Sequence, residues 1–486
     1  MQSAITSKQF TFVAGLALAT WLILTSVSSA QADTGSVPPS VQLVINGHDF
    51  PSDAYALLVQ EIGSEMPVLA VNAELALNPA STMKVLTTLA ALEKLGPAYT
   101  WRTQIYALGD VQGGVLTGDL LIRGGGDPFL VEENVRSMLK TLQRRGIQRI
   151  SGNLILDTAV FDPLVSQGDS LDNQSNRAYN VLPHGLMMNF QTVSFYFYPH
   201  DNGRDVIIKA DPMLPNLTID NRLRLTNAPC TGFQRGISFS EDRDYNTVIF
   251  SGQFPGACEE YAITRAVLDA PQYAYGLFRQ LWQELGGSLD GNLQSGSLPA
   301  DTDISPLVVW QSPPLSDVIK SINKYSNNMM TRQLLLTLGL EYAGIPANAE
   351  NGIAAVHSYL ADIGVDHSAL VMANGAGLAR EARLTASMLN AVLQRAYVIP
   401  NMPEFMAALP LAGLDGTMRD RLADEPGSGR VHVKTGSLSG VAAIAGYVHA
   451  YSGKRYVVVA LVNHPRSDTG TGQELGDSLL RWALEQ

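Results

Sequence analysis

The chain has 486 residues, 46% of them hydrophobic, with 33 Lys and Arg against 45 Asp and Glu, a formal charge of −12. That length allows two or three domains with substantial cores. The acidic balance argues against nucleic acid, whose binding needs a basic footprint.

Residues 1–32 read as an export signal. Lys8 gives the positive start, Phe10 to Val27 is largely apolar, and Ala30-Gln31-Ala32 puts small residues where a signal peptidase cuts. A spanning anchor is the alternative, disfavoured by the immediate Ala-x-Ala site and the polar start Asp33-Thr34-Gly35-Ser36. No cysteine stands near the cut to carry a lipid, and no later run is long and apolar enough to span a bilayer. The expectation is an exported protein, periplasmic or otherwise extracytoplasmic, with no integral membrane anchor. Cleavage removes one lysine and no acid, so the remaining 454 residues are slightly more acidic still.

Strand-like stretches at Tyr55 to Glu61 and Pro67 to Leu77 lead into Asn78-Pro79-Ala80-Ser81-Thr82-Met83-Lys84 and the apolar run Val85 to Leu92. Pro79 and Ser81 suit a helix start. Residues three apart share a helix face, so the Ser81 hydroxyl falls beside the Lys84 amine. Serine is a weak nucleophile that needs an adjacent base. Ser81 and Lys84 are therefore a candidate nucleophile and base. The spacing recurs at Ser137–Lys140 and Ser321–Lys324. Neither of those opens an apolar helix, and both read as helix surface.

From about Trp101 to Ala300 the texture changes to short strand-like runs, among them Leu116 to Arg123, Asn153 to Leu156, Val193 to Tyr198 and Asp205 to Lys209. Helices are predicted at Val131 to Arg144 and Pro271 to Leu285. Gly124-Gly125-Gly126-Asp127 has no Gly-Lys-Ser/Thr after it, so it reads as a tight turn and not a phosphate loop. The two cysteines, Cys230 and Cys258, fit a disulfide in an oxidising compartment, with two buried thiols as the alternative. The eight His are scattered without paired spacing, which points to no metal. Gly291 to Pro306 looks like a crossing out of this region.

Helical sequence follows, Leu315 to Tyr342 and Ala347 to Ile363, with Ser326-Asn327-Asn328 inside it. Three β-rich runs come next, Arg430 to Gly436, Val441 to Ala450 and Arg455 to Asn463, and a final helix fits Gln473 to Glu485. Lys434-Thr435-Gly436-Ser437 closes the first of those runs. A lysine and a threonine there suit a carboxylate clamp, and the Ser437 amide could join that of Ser81 as an oxyanion hole. The simplest organisation is one α/β (α+β) domain built from both ends of the chain, 33–101 and 303–486. Between them lies a β-rich insert, 102–302, expected to hold two nested subdomains.

Each motif alone is weak. In the order S-x-x-K, S-x-N, K-T-G the chain resembles the penicillin-interacting serine D,D-peptidases, and within them the class C low-molecular-mass penicillin-binding proteins. Further family-like segments are Gly125-Gly126-Asp127-Pro128, Leu409-Pro410-Leu411-Ala412-Gly413 with Asp415-Gly416-Thr417, and Ala445-Gly446-Tyr447. The insert of about 200 residues points to class C. One segment departs: Asn374-Gly375-Ala376-Gly377-Leu378-Ala379-Arg380 stands where the family often has Asp-Gly-Ser-Gly-Leu-Ser-Arg. An acid and two hydroxyls are missing there, which bears on substrate preference.

The resemblance implies a transpeptidase-like fold, an antiparallel sheet flanked by helices. It implies a D-alanyl-D-alanine carboxypeptidase or endopeptidase acting on peptidoglycan stem peptides, without a cofactor and blocked by β-lactams. Ser81 would attack, Lys84 would take its proton, Ser326 would pass it to the leaving amine and Asn328 would hold Lys84. Lys434 and Thr435 would bind the terminal carboxylate. Asp157 and Arg380 fall in segments expected near the substrate, although a turn aspartate explains Asp157 equally well. The rivals are a serine β-lactamase or esterase on the same fold, and a non-catalytic wall-binding or β-lactam-sensing protein.

Overall fold

In the computed structural model, residues 35–166, 171–298 and 304–486 are described. The predicted export signal lies outside them. Both ends of the chain meet in one wholly antiparallel five-stranded sheet, in the order Val431–Leu438, Val441–His449, Arg455–Asn463, Tyr55–Glu61 and Leu69–Val71. The strand Arg455–Asn463 reads as a nearly continuous apolar run because both of its faces are covered. Val457, Val459 and Leu461 pack against the helix Met83–Leu95 and its neighbours, while Val458, Ala460 and Val462 pack against the terminal helices Pro39–Gly47 and Thr471–Leu484.

Met83–Leu95 is the helix that matters most. Every residue from Met83 to Leu92 is buried, which makes it a central helix and not a surface one. Its interior polar groups therefore need partners. Thr87 Oγ1 donates to the Gly375 carbonyl at 2.8 Å, and Thr88 Oγ1 donates to the Lys84 carbonyl at 2.6 Å and accepts from Asn323 at 3.1 Å. The predicted α/β arrangement with helices on both faces of an antiparallel sheet is what the structure shows.

The middle of the chain has its own core. Its main sheet joins Ser288–Leu289, Arg149–Ile150, Val115–Arg123, Arg102–Gln112 and Val308–Gln311, with Leu154–Asp157 and Leu293–Ser295 attached. Two three-stranded sheets accompany it, and the helices Glu132–Arg144 and Ala270–Glu284 cover it. Val308–Gln311, beyond residue 302, pairs with Arg102–Gln112. Gly124 to Asp127 follow the strand end Arg123 as irregular backbone, the turn comes at Pro128 and Phe129, and the next helix starts only at Glu132. A Cβ on Gly125 would lie 2.2 Å from the Arg102 carbonyl oxygen, which explains a glycine there. Cys230 and Cys258 are joined in a disulfide with Cα atoms 5.1 Å apart. Closing that loop stabilises the fold by roughly 3–4 kcal/mol in the chain-entropy model.

Two predicted elements differ. The strand expected over Pro67 to Leu77 is only Leu69–Val71, because Asn72 takes a positive φ of 51° and ends it. The helix expected over Leu315 to Tyr342 is two helices, Leu315–Tyr325 and Asn328–Ala343. Ser326 breaks them in the left-handed region, φ 56° and ψ 37°, and the Asn327 side chain caps the second by accepting from Met330 N at 3.0 Å. Among the described residues no helix is long and apolar enough to cross a membrane.

Candidate active site

Ser81 sits in a single 3₁₀ turn, Ala80–Thr82, that runs directly into the buried helix. The turn is held from three sides. Asn78 accepts from Ala80 N at 2.9 Å, donates to the carbonyls of Ala379 and Arg380 at 2.8 and 3.1 Å, and exchanges two hydrogen bonds with Asn463. Ala80 carries a positive φ of 44°, a strained value for a residue with a Cβ. Gly377 backs it, and any Cβ there would lie 1.8 Å from the Ala80 carbonyl oxygen.

One turn on, Lys84 is fully buried. Its Nζ lies 2.8 Å from Ser81 Oγ, 2.7 Å from Asn328 Oδ1 and 2.7 Å from the Ala376 carbonyl oxygen. Asn328 Oδ1 and the carbonyl can only accept. They therefore take two of the Nζ hydrogens, and a neutral amine held in this way would turn its lone pair to the Ser81 hydroxyl. Asn328 Nδ2 donates to the Tyr179 carbonyl at 3.2 Å, which fixes the amide the right way round. Lys84 has no carboxylate partner among the described residues. Burial is the largest cause holding its pKa well below that of an ordinary lysine, and the charges of Lys434 and Arg332 add to it.

Lys434 is also fully buried, and burial brings its pKa down to about 7. Its Nζ donates to Ser326 Oγ at 2.9 Å and to the Thr435 carbonyl at 2.6 Å. The left-handed Ser326 thus stands between the two helices with its hydroxyl on Lys434. Thr435 Oγ1 donates to Thr417 Oγ1 at 2.7 Å. Gly436 brings this edge strand onto the Ser81 turn: a Cβ there would meet the Pro79 carbonyl oxygen at 2.7 Å and Ser81 N at 3.0 Å. Ser437 comes next in the strand, opposite Ala442.

The structure thus gathers Ser81, Lys84, Ser326, Asn328, Lys434 and Thr435, with the Gly436–Ser437 backbone against them. Asp157 is not in this network. It is 3% exposed, paired with Arg123 Nε at 2.7 Å, and accepts from Ala159 N. Arg380 reaches the Ser439 carbonyl at 2.8 Å and pairs with Asp172 at 2.9 Å. The departures at Asn374 and Ala376 leave the Lys84 contact intact, because Ala376 supplies a backbone oxygen. Asn374 closes its own loop, accepting from Ala376 N and donating to the Leu378 carbonyl.

Sequence reasoning missed several groups. The Ala376 oxygen belongs to no residue type, so no motif could reveal it. Asp172 gave no signal in its stretch. Lys324 pairs with Asp415 at 2.6 Å, two residues before Ser326 and two before Thr417, and so ties those two segments together. The segment Asp415-Gly416-Thr417 was visible as a motif, without a role.

The sequence profile of the D-Ala-D-Ala carboxypeptidase 3 (S13) family matches residues 40–485. The chain belongs to that family. It is 28% identical over 407 residues to the D-alanyl-D-alanine carboxypeptidase of Actinomadura sp. (strain R39), covering 80% of this chain and 73% of the relative. It is 27% identical over 391 residues to D-alanyl-D-alanine carboxypeptidase DacB of Haemophilus influenzae, covering 79% and 80%. In fold it matches the crystal structure of penicillin binding protein 4 (dacB) from Haemophilus influenzae with a TM-score of 0.77 and 24% identity, over 92% of this chain and 99% of the other. The S13 match extends across the insert as well as the sheet domain.

The buried lysines make a stability test of this site. An ordinary lysine titrates near 10.4 and Lys434 near 7. Between those values the unfolded chain holds the extra proton, so the penalty of burying Lys434 is fullest below about pH 7 and fades as pH rises toward 10. Lys434→Met is expected to raise the melting temperature more at pH 6.5 than at pH 10. An equal gain at both would mean that burial does not depress this lysine.

Proposed function

We propose that this S13 chain is a serine D,D-peptidase that works through a Ser81 acyl-enzyme on peptidoglycan stem peptides. It would remove a terminal D-alanine, cleave D-Ala–meso-diaminopimelate cross-links, or both. The observation that carries this is the Lys84 amine, buried without a carboxylate and aimed at Ser81 Oγ by two fixed acceptors.

Neutral Lys84 takes the Ser81 proton as Oγ bonds to the carbonyl carbon between two D-alanines. The amides of Ser81 and Ser437 hold the oxyanion. The proton passes from Lys84 by way of Ser326 to the leaving nitrogen, and the C–N bond breaks. Water then adds to the ester, gives up a proton to the same base, and restores Ser81. Lys434, with the hydroxyls of Thr435 and Thr417, receives the substrate's terminal carboxylate. A penicillin offers the same amide and carboxylate, so it acylates Ser81. A Haemophilus influenzae penicillin binding protein 4 crystal structure complexed with a β-lactam shares this fold, at a TM-score of 0.74. The disulfide supports action outside the cytoplasm, in keeping with the predicted export signal.

We assign recognition of a free amine on the substrate to Asp172 in preference to Asp157. Asp157 is enclosed and neutralised by Arg123, whereas the Asp172 side chain is 48% exposed and faces Arg380 beside Ser439, just past the Lys434 strand. A charged hydrogen bond of this kind contributes about tenfold. Asp172→Asn is expected to lower kcat/KM about tenfold for peptides with a free amine on the acyl side, and to leave their N-acetylated forms unchanged. If Asp157→Asn has that effect instead, the assignment fails.

Fluorescent penicillin on denaturing gels tests the acyl-enzyme. Wild type is expected to give a stable band and Ser81→Ala none, with Lys84→Ala labelling at least a hundredfold more slowly. Labelling of Lys84→Ala at the wild-type rate would remove Lys84 as the base.

A further inference from the structure

Four residues past Asn328, on the same face of its helix, stands Arg332. It is 8% exposed. Its Nη1 donates to the carbonyls of Asn180 at 3.3 Å and Val181 at 2.9 Å. Its Nε is buried with no acceptor, and no carboxylate among the described residues pairs with the guanidinium. A guanidinium carries five donors and keeps its charge. Leaving it buried and unpaired is costly, and an anion relieves that cost directly.

Arg332 lines a cavity of about 480 Å³. One wall comes from the insert, through Leu182 and Pro183, and another from the helix that carries Arg332, through Leu335. The start of the helix Ala349–Asp362 forms a third, with Asn348 capping it by accepting from Asn351 N at 2.9 Å. Apart from the Asn351 amide that Asn348 takes, the leading amides have no partner within the helix, and a helix N-terminus carries partial positive charge. Two positive elements therefore meet at one cavity. Its acids are Glu350, which is exposed, and Asp162, whose Oδ1 already accepts from Leu164 N.

We propose that this cavity is an anion site, which takes one carboxylate or comparable oxyanion against Arg332, separate from the clamp at Lys434 and Thr435. The anion comes either from an acidic group of the peptide on the acyl side of the scissile bond or from a free oxyanion of the medium. Occupancy also reaches the chemistry, a consequence that rests on Lys84 being the base. The Arg332 charge helps keep Lys84 deprotonated. An anion on Arg332 offsets that charge, so Lys84 holds its proton to a higher pH and acylation near neutrality slows.

The test titrates sodium acetate and inorganic phosphate at constant ionic strength, reading melting temperature and the pH dependence of penicillin acylation. Wild type is expected to show a saturable rise in melting temperature and an upward move of the acid limb of the acylation profile. Arg332→Gln should show neither, and Arg332→Lys should keep part of both. Glu350→Gln, an exposed change that leaves Arg332 in place, should tighten anion binding severalfold. The melting arm is repeated on Ser81→Ala, where the stabilisation should persist; failure of the acyl-enzyme mechanism therefore leaves this arm readable. Peptides with a free carboxylate or its amide on the acyl side locate the source. A carboxylate preference that Arg332→Gln abolishes assigns the site to substrate, and a free-anion effect without that preference assigns it to the medium. The site is ruled out if neither anions nor peptide carboxylates act through it, or if Arg332→Gln responds as wild type does.

Discussion

Lys84 is buried in the sheet domain with no acid among the described residues to neutralise it, and much of the surrounding structure follows from that. A charged amine there would have to be paired or lose its proton. Its three neighbours are a hydroxyl and two fixed oxygens, which suit a neutral amine whose lone pair meets Ser81. Each neighbour is in turn fixed from further out. Tyr179 orients Asn328, Gly377 allows the Ala376 loop to close under Ala80, and Gly436 lets the edge strand approach the Ser81 amide.

Two further cations, Lys434 and Arg332, are buried around it, and both titrate below their ordinary range because of burial. Depressing a lysine by three units costs about 4 kcal/mol of stability while it is protonated. The apolar cores on the two faces of the sheet have to offset that cost. The covering is shared between the two ends of the chain and the insert, whose Tyr179 to Val181 segment holds Asn328 and Arg332 through backbone carbonyls. The insert is therefore part of the site's electrostatics.

Much of this was legible in the sequence where chemistry restricts residue type. Ser81 and Lys84 had to be three apart across the start of one helix, and Lys434 had to lie on a strand. The break at Ser326 was not legible, since apolar positions continue from Ile322 to Met329 and Met330 and mimic one helix. A left-handed serine needs tertiary support, which Lys434 gives from the far end of the chain. Asp157 and Asp172 are alike as sequence, and only the partners Arg123 and Arg380 separate them. Arg332 falls within a helix that is buried on nearly all sides, where the pattern says nothing of its missing partner. The helix Ala386–Val398 went unread although Thr385 caps it and Met388, Leu389, Val392, Leu393 and Ala396 repeat at helical spacing.

The central claim is that Lys84 is a neutral amine at working pH. Its protonation is followed most directly by NMR titration of protein labelled with ¹³C at the lysine Cε, with Lys84→Arg to assign the signal. The account predicts one lysine that loses its proton well below the ordinary range near 10.4, and whose pKa rises when Arg332 is replaced by glutamine. A Lys84 signal that titrates with the surface lysines would contradict it.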